Sequence, residues 1–384
     1  MIADKYKDYV IKTRREFHRI PEAGMNEFKT SKLIKEKLTE MGIPYEECAG
    51  TGVVGIIEGA KPGKTVALRA DIDALSVTEK NDVEYKSQHD GMMHACGHDT
   101  HIAMVIAAAK TLLDEKENIK GRVKLIFQPS EEGPVHGAVN MVAEGVVKDV
   151  DSIFALHVMP DLKTGTITCD AGPRMASADF FELTITGSSG HAAMPNECVD
   201  ATVIGASIVM NLQTLVSREL TPLEPFVITI GAFESGSRHN VISGKAVLKG
   251  TVRTFNEEVR RQIPGKIERV AKNIAAAYRG DADLDYMYGT KPLSNAEESS
   301  AMVRDIATKM LGEDAIITTP VRMGGEDFSE YLYLIPGAIA LLGVGNQEKG
   351  ITHPIHHDCF NIDEDALAIG ASLLAEYALE YLEK

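Results

Sequence analysis

Three histidines, a cysteine and an aspartate fall within the eight residues His94-Ala95-Cys96-Gly97-His98-Asp99-Thr100-His101. Thiolate and imidazole together favour zinc or another borderline-soft divalent ion, and carboxylates widen the choice to manganese or cobalt. Further along, Gln128-Pro129-Ser130-Glu131-Glu132-Gly133 brings two adjacent carboxylates. Neighbouring side chains diverge, so this pair suits one metal ligand and one general base. Hydrolysis at a metal site needs that combination: the ion lowers the pKa of water toward neutrality, and a carboxylate takes the proton and returns it to the leaving group. His157 and the run His353-Pro354-Ile355-His356-His357-Asp358 add imidazoles, and Asp71 offers a carboxylate to orient a ligated side chain.

Each segment alone has a plainer explanation. The stretch from His94 is also a polar helix cap, Glu131-Glu132 an exposed loop, His157 a satisfied core histidine, and the C-terminal histidines a surface cluster. A cysteine nucleophile at Cys96 would need one base and leaves the other groups without a role. There is no Gly-x-Ser-x-Gly elbow and no phosphate-binding loop, and Gly187-Ser188-Ser189-Gly190 is only a turn.

What must position these groups is a set of short apolar segments. Residues 52–57, 66–70, 123–127 and 153–156 read as strands, each followed closely by polar candidates: Asp71 after the second, Glu131 and Glu132 after the third, His157 after the fourth. Helical periodicity marks residues 6–41, broken at Ile20-Pro21, and the apolar run Ile102 to Leu113, with Asp99 or Thr100 expected to cap it and the cluster in the preceding turn. Strand–helix alternation predicts an α/β sheet, and ligands in such sheets bind at the carboxyl ends of the strands. Near residue 178 the texture changes: Phe180 to Thr186 alternates, and further strands with two helices (from Ala201 and from Glu257) predict a smaller antiparallel α+β domain. The α/β pattern resumes near Asn295. The expected organisation is a discontinuous metal-binding catalytic domain, 1–177 and 292–384, with a mostly parallel central sheet, carrying an inserted domain at 178–291.

Composition narrows the partners. At 384 residues, with 44% hydrophobic and 25% charged content, the chain has globular rather than disordered character. A formal net charge of −16 argues against nucleic acid. No apolar run reaches membrane-spanning length, and the charged start Met1-Ile2-Ala3-Asp4-Lys5 has no signal-peptide core, so a cytoplasmic location is expected. Five scattered cysteines form no disulfide framework.

Together, Arg69-Ala70-Asp71-Ile72-Asp73-Ala74-Leu75, His94-Ala95-Cys96-Gly97-His98-Asp99 and Gln128-Pro129-Ser130-Glu131-Glu132-Gly133 resemble the M20 metallopeptidase family. The likeness is to its amidohydrolase branch, which includes N-acyl-amino-acid amidohydrolases, hippurate hydrolases, N-acetyldiaminopimelate deacetylases and plant auxin-conjugate hydrolases. Gly190-His191-Ala192-Ala193-Met194-Pro195, Asn240-Val241-Ile242, Gly250-Thr251-Val252-Arg253 and Gly324-Gly325-Glu326-Asp327-Phe328 extend it over nearly the whole chain. The resemblance implies two divalent ions (zinc, manganese, cobalt or nickel) held by Cys96, His98, Glu132, His157 and His356, with Glu131 as base and Asp71 as orienting acid. It also implies a homodimer formed through the inserted domain, which presents His191 and Asn240 to an N-acyl-L-amino acid. Deacetylation of N-acetyldiaminopimelate, a dipeptidase activity and a catalytically silent binding protein are the alternatives. Ser189, Asn196, Ser243 and His356-His357-Asp358 depart from the common pattern and bear on acyl preference and on the C-terminal ligand.

Overall fold

The computed structural model describes residues 1–133 and 136–384. Two compact units are present, the first made of Met1–Gly172, Ser294–Pro320 and Asp327–Lys384, the second of Pro173–Leu293 and Val321–Glu326.

The first unit opens with α1 (Lys7–His18) and α2 (Phe28–Glu40). Pro21, with no N–H and a fixed φ, falls in the break between them. There follow β1 (Tyr45–Cys48), β2 (Gly52–Glu58), β3 (Lys61–Asp71), α3 (His98–Asp114), β4 (Lys120–Gln128), α4 (Gly137–Ala143), β5 (Ser152–Lys163) and β6 (Ile167–Thr168). They build a seven-stranded sheet in the order β1-β2-β4-β3-β5, then Gly337–Gly345, then β6. The central strands β4, β3, β5 and Gly337–Gly345 run parallel, and the pairings at both edges are antiparallel. Parallel strands are covered on both faces, which is why these segments read as nearly unbroken apolar runs.

Register fixes what stands at the rim. Asp71 pairs with Gln128 across β3 and β4, and Arg69 pairs with Ala155 across β3 and β5, so Asp71 reaches the level of His157. Behind the rim, α3 packs on the C-terminal helix Leu367–Glu383 so closely that a Cβ on Gly370 would stand 2.1 Å from Met104 Sδ.

Two boundaries differ from the sequence expectation. Helix α3 starts at His98 rather than near Ile102, and its N-cap is Gly97 in the left-handed region (φ 87°). Neither Asp99 nor Thr100 caps it. Asp99 lies inside the first turn and accepts from Arg14 Nε at 2.7 Å and His18 Nδ1 at 2.8 Å, both on α1. The other ring nitrogen of His18 faces Glu79 Oε1 at 3.2 Å, completing a buried ionic network at the start of α3. Strand β5 continues past His157 to Lys163. The short, largely exposed β1 carried no apolar pattern to announce it.

The second unit is a four-stranded antiparallel sheet in the order Phe226–Ser235, Lys245–Thr254, Ala178–Thr186, Asp281–Thr290. Helices Ala201–Thr214 and Glu257–Ala277 share its core with Phe181, Leu183, Ile185, Leu248 and Ile267. Asp200 and Asn256 cap these helices, each accepting from two backbone N–H groups of the first turn. Among the described residues no helix is long and apolar enough to cross a membrane.

Candidate metal centre

Cys96 and His98 flank Gly97, whose left-handed backbone lets the chain turn from the approach loop into α3. A Cβ at Gly97 would also stand 2.5 Å from Val158 Cγ2, so a larger residue has neither the conformation nor the room. The turn sets Cys96 Sγ 3.5 Å from His157 Nε2 on β5. Cys96, His98 and His157 are all buried, and one ligand atom from each lies within 4.8 Å of the others.

Hydrogen bonds decide the tautomers. His98 Nδ1 stands 3.0 Å from the Asp73 carbonyl and 3.1 Å from Asp73 Oδ1, and a carbonyl only accepts, so Nδ1 donates. His98 Nε2 is left buried with no hydrogen-bond partner. His157 Nδ1 likewise donates to the Val158 carbonyl at 2.8 Å, leaving Nε2 for Cys96. His101 is different: Nε2 accepts from Val158 N–H at 3.0 Å and Nδ1 donates to Asp71 Oδ1 at 2.6 Å. Both its nitrogens are engaged, so it holds Asp71 rather than an ion. Arg69 Nη1 takes the other Asp71 oxygen at 2.8 Å. Arg69 also donates to Gln128 and Asp327, and Asp327 in turn accepts from Gln128 Nε2 and Ala138 N–H.

The carboxylates arrive on the loop after β4. Ser130 there has φ 49°, a strained value for a residue with a side chain, and its N–H donates to the buried Glu27 at 2.8 Å. Glu132 N–H donates to Asp73 Oδ2 at 3.0 Å, and Glu132 Oε1 lies 3.0 Å from His356 Nε2. His356 is itself at φ 65°, with its N–H on the Ala95 carbonyl at 2.8 Å. Cys96, Glu132 and His356 form one close group, and His98, Glu131 and Glu132 another. Of the nine residues singled out from sequence, Asp71, Cys96, His98, Glu131, Glu132, His157 and His356 therefore gather in the first unit.

His191 and Asn240 belong to the second unit. Strand Gly190–His191 pairs with Val241–Ile242, and Ala192 N–H donates to the Asn240 carbonyl at 3.2 Å. Both side chains are exposed, so His191 is not a core histidine. Asp73 and His101 received no role from sequence. The alternation Asp71-Ile72-Asp73 was a usable signal for Asp73, since residues two apart on an extended chain share a side.

Charge in the first unit fits a cation. Burial and the Glu132 and Glu131 carboxylates push the Cys96 thiol well above its usual range. Burial disfavours a charged His98, yet Asp71, Asp73 and Glu132 override it and lift the imidazole to about 10. Burial, with His101 nearby, pushes His157 down to about 3, keeping it a neutral lone-pair donor. Excess negative charge around inward-facing nitrogen and sulfur donors is what a divalent ion neutralises, and a dication reverses the penalty on the thiolate.

Such a donor group on an α/β rim, with carboxylates beside it, suits metal-dependent hydrolysis, and the family of the chain makes it a hydrolase of amide bonds. The chain belongs to peptidase family M20/M25/M40, whose model matches residues 67–380. It is 39% identical to thermostable carboxypeptidase 2 of Saccharolobus solfataricus over 382 residues, covering 98% of this chain and 96% of that one. It is 39% identical over 375 residues to N-acetyl-L-cysteine deacetylase of Bacillus subtilis, covering 97% and 88%. The crystal structure of Bacillus subtilis YXEP, described as a dinuclear metal-binding peptidase of family M20, superposes with a TM-score of 0.87 at 34% identity, covering 99% of each chain.

Proposed function

We propose that the protein hydrolyses the amide of N-acyl-L-amino acids, releasing a carboxylic acid and a free amino acid, with two divalent ions held by Cys96, His98, Glu132, His157 and His356. The observation that carries this is the pair of buried imidazoles, His98 and His157, each donating from Nδ1 to a carbonyl and turning Nε2 inward, toward the Cys96 and Glu132 side chains. Bound there, zinc, manganese, cobalt or nickel would supply an acidified water and a polarised scissile carbonyl. Glu131 takes the proton of the attacking water and hands it to the departing amine. Asp71, fixed by His101 and Arg69, orients the neighbouring ligands. The names of the two relatives support the substrate class: a deacetylase of an N-acetyl amino acid and a carboxypeptidase both cut an amide whose departing half carries a free α-carboxylate.

A homodimer formed through the second unit completes the reading, with His191 and Asn240 contacting substrate. The exposed side chains of Val203 and Met210 on helix Ala201–Thr214, and of Phe233 on the adjacent edge strand, support that face as the interface. Five free cysteines accord with a cytoplasmic location.

The test is a substrate panel of N-acetyl and N-benzoyl amino acids, N-acetyldiaminopimelate and dipeptides, run with defined metals. Turnover of N-acyl amino acids that chelator abolishes and added metal restores is the expected result. Preference for dipeptides, or turnover by fully chelated protein, would overturn it.

A further inference from the structure

The loop that delivers His356 carries two more histidines and a cysteine that the catalytic reading leaves unused. The positive φ of His356 turns its imidazole to Glu132, and its neighbours gather elsewhere. The rings of His353 and His357 stack with centroids 4.3 Å apart and planes 17° from parallel. One ligand atom from each of His353, His357 and Cys359 lies within 4.8 Å of the others. Cys359 N–H donates to His357 Nδ1 at 3.0 Å, closing this part of the loop on itself.

We propose that His353, His357 and Cys359 form a separate binding site for a borderline-soft divalent cation, zinc in the first instance. Two imidazoles and a thiolate are zinc's preferred donors, and three protein ligands leave the fourth tetrahedral position to water. Bonds of roughly 2.0–2.3 Å around a tetrahedral ion set ligand atoms about 3.3–3.8 Å apart, so side-chain rotation suffices to close the site. Asp358 Oδ1, 3.2 Å from His357 Nδ1, adds a negative charge beside the group. Lys80 anchors this stretch from outside, pairing with Asp358 Oδ2 at 2.6 Å. Unlike the buried centre, this group includes an exposed histidine and two half-exposed residues, so its ion exchanges freely with solution. A filled site also pins the residues on both sides of His356.

The test uses the full-length, metal-free protein, titrated with cobalt(II) under reducing, oxygen-free conditions. Cobalt retained after desalting and near-ultraviolet thiolate-to-cobalt absorption are recorded for wild type, Cys359→Ser and His353→Ala. Each variant is expected to hold one equivalent fewer than wild type, and Cys359→Ser to lose one component of the absorption while the Cys96 component stays. Circular dichroism matching wild type excludes misfolding, and His357→Gln gives a third variant. Equal stoichiometry and identical spectra in wild type and variants would overturn the proposal, as would loss of all thiolate absorption in Cys96→Ser. None of these readouts is hydrolysis, so this site and the catalytic reading fail separately.

Discussion

Glu131 and Glu132 are adjacent in sequence yet set for different work. Glu132 is tied at its N–H to Asp73 and at its carboxylate to His356, the surroundings of a ligand. Glu131→Gln is expected to keep its metal and lower kcat by about 10²–10⁴, the usual worth of a positioned acid–base group, whereas Glu132→Gln is expected to lose metal first. Metal content and kcat measured on both variants check the assignment, and the reverse pattern would exchange the roles. The candidate donors were legible because few side chains bind metals and they fall in four short segments. Apart from Asp71, the groups that orient them received no role from sequence. Asp73, His101 and Arg69 acquire their partners only through strand register and helix phase, and His101 looks in sequence just like a ligand until both its nitrogens are accounted for.

Gly97 sits where a loop becomes a helix and where two donors must face one point. Gly97→Ala meets both a left-handed backbone and a contact with Val158. A loss of about 1–3 kcal/mol is expected from strain of this kind, with weakened metal affinity because Cys96 and His98 move with the turn. Urea unfolding of the metal-free protein and a zinc titration test the two effects. At the same helix start, burial and Arg14 oppose a charged His18, but Asp99 and Glu79 prevail and its pKa is raised. A raised folded pKa means that the contribution to stability is full below about 6.5 and fades as pH climbs through the folded value. His18→Gln is therefore expected to destabilise by about 1.5–3 kcal/mol near pH 6, the range for hydrogen bonds to charged groups, and by less near pH 9. Urea midpoints at the two pH values decide it, and a gap that widens with pH would refute the assignment. The central strands were visible in sequence because burial on both faces writes an apolar run. The first turn of α3 was not, because His98, Asp99 and His101 are polar residues occupied with the site and the ionic network, and the apolar pattern begins only at Ile102.

At the scale of the molecule, the proposed dimer makes a prediction that neither unit makes alone. His191→Ala is expected to be folded, metal-replete and nearly inactive, a loss of roughly 10²–10³ in kcat for one donor to the developing oxyanion. Mixed with Glu131→Gln protein, it should recover activity, since each mixed dimer holds one site with both defects and one with neither. Subunit exchange verified by a tagged chain without recovery would exclude action across the dimer. The change of texture near residue 178 was legible because antiparallel strands alternate where parallel ones do not. The return of Val321–Glu326 to the second unit was not, being too short to carry a pattern.

The sheet of the first unit places Gly337–Gly345 beside β5, although the second unit intervenes in the chain between them. During synthesis, β5 therefore emerges long before its neighbour exists, with its apolar face waiting. The nearly continuous second unit meanwhile has its whole core at hand and can close first, since domains generally fold as units while the chain is made. His356 follows that late strand, so the proposed donor set is complete only after Gly337–Gly345 has been made. On the proposed reading, metal acquisition would wait for that strand, and a chain interrupted before Gly337 would leave an edge of β5 unpaired and lack His356.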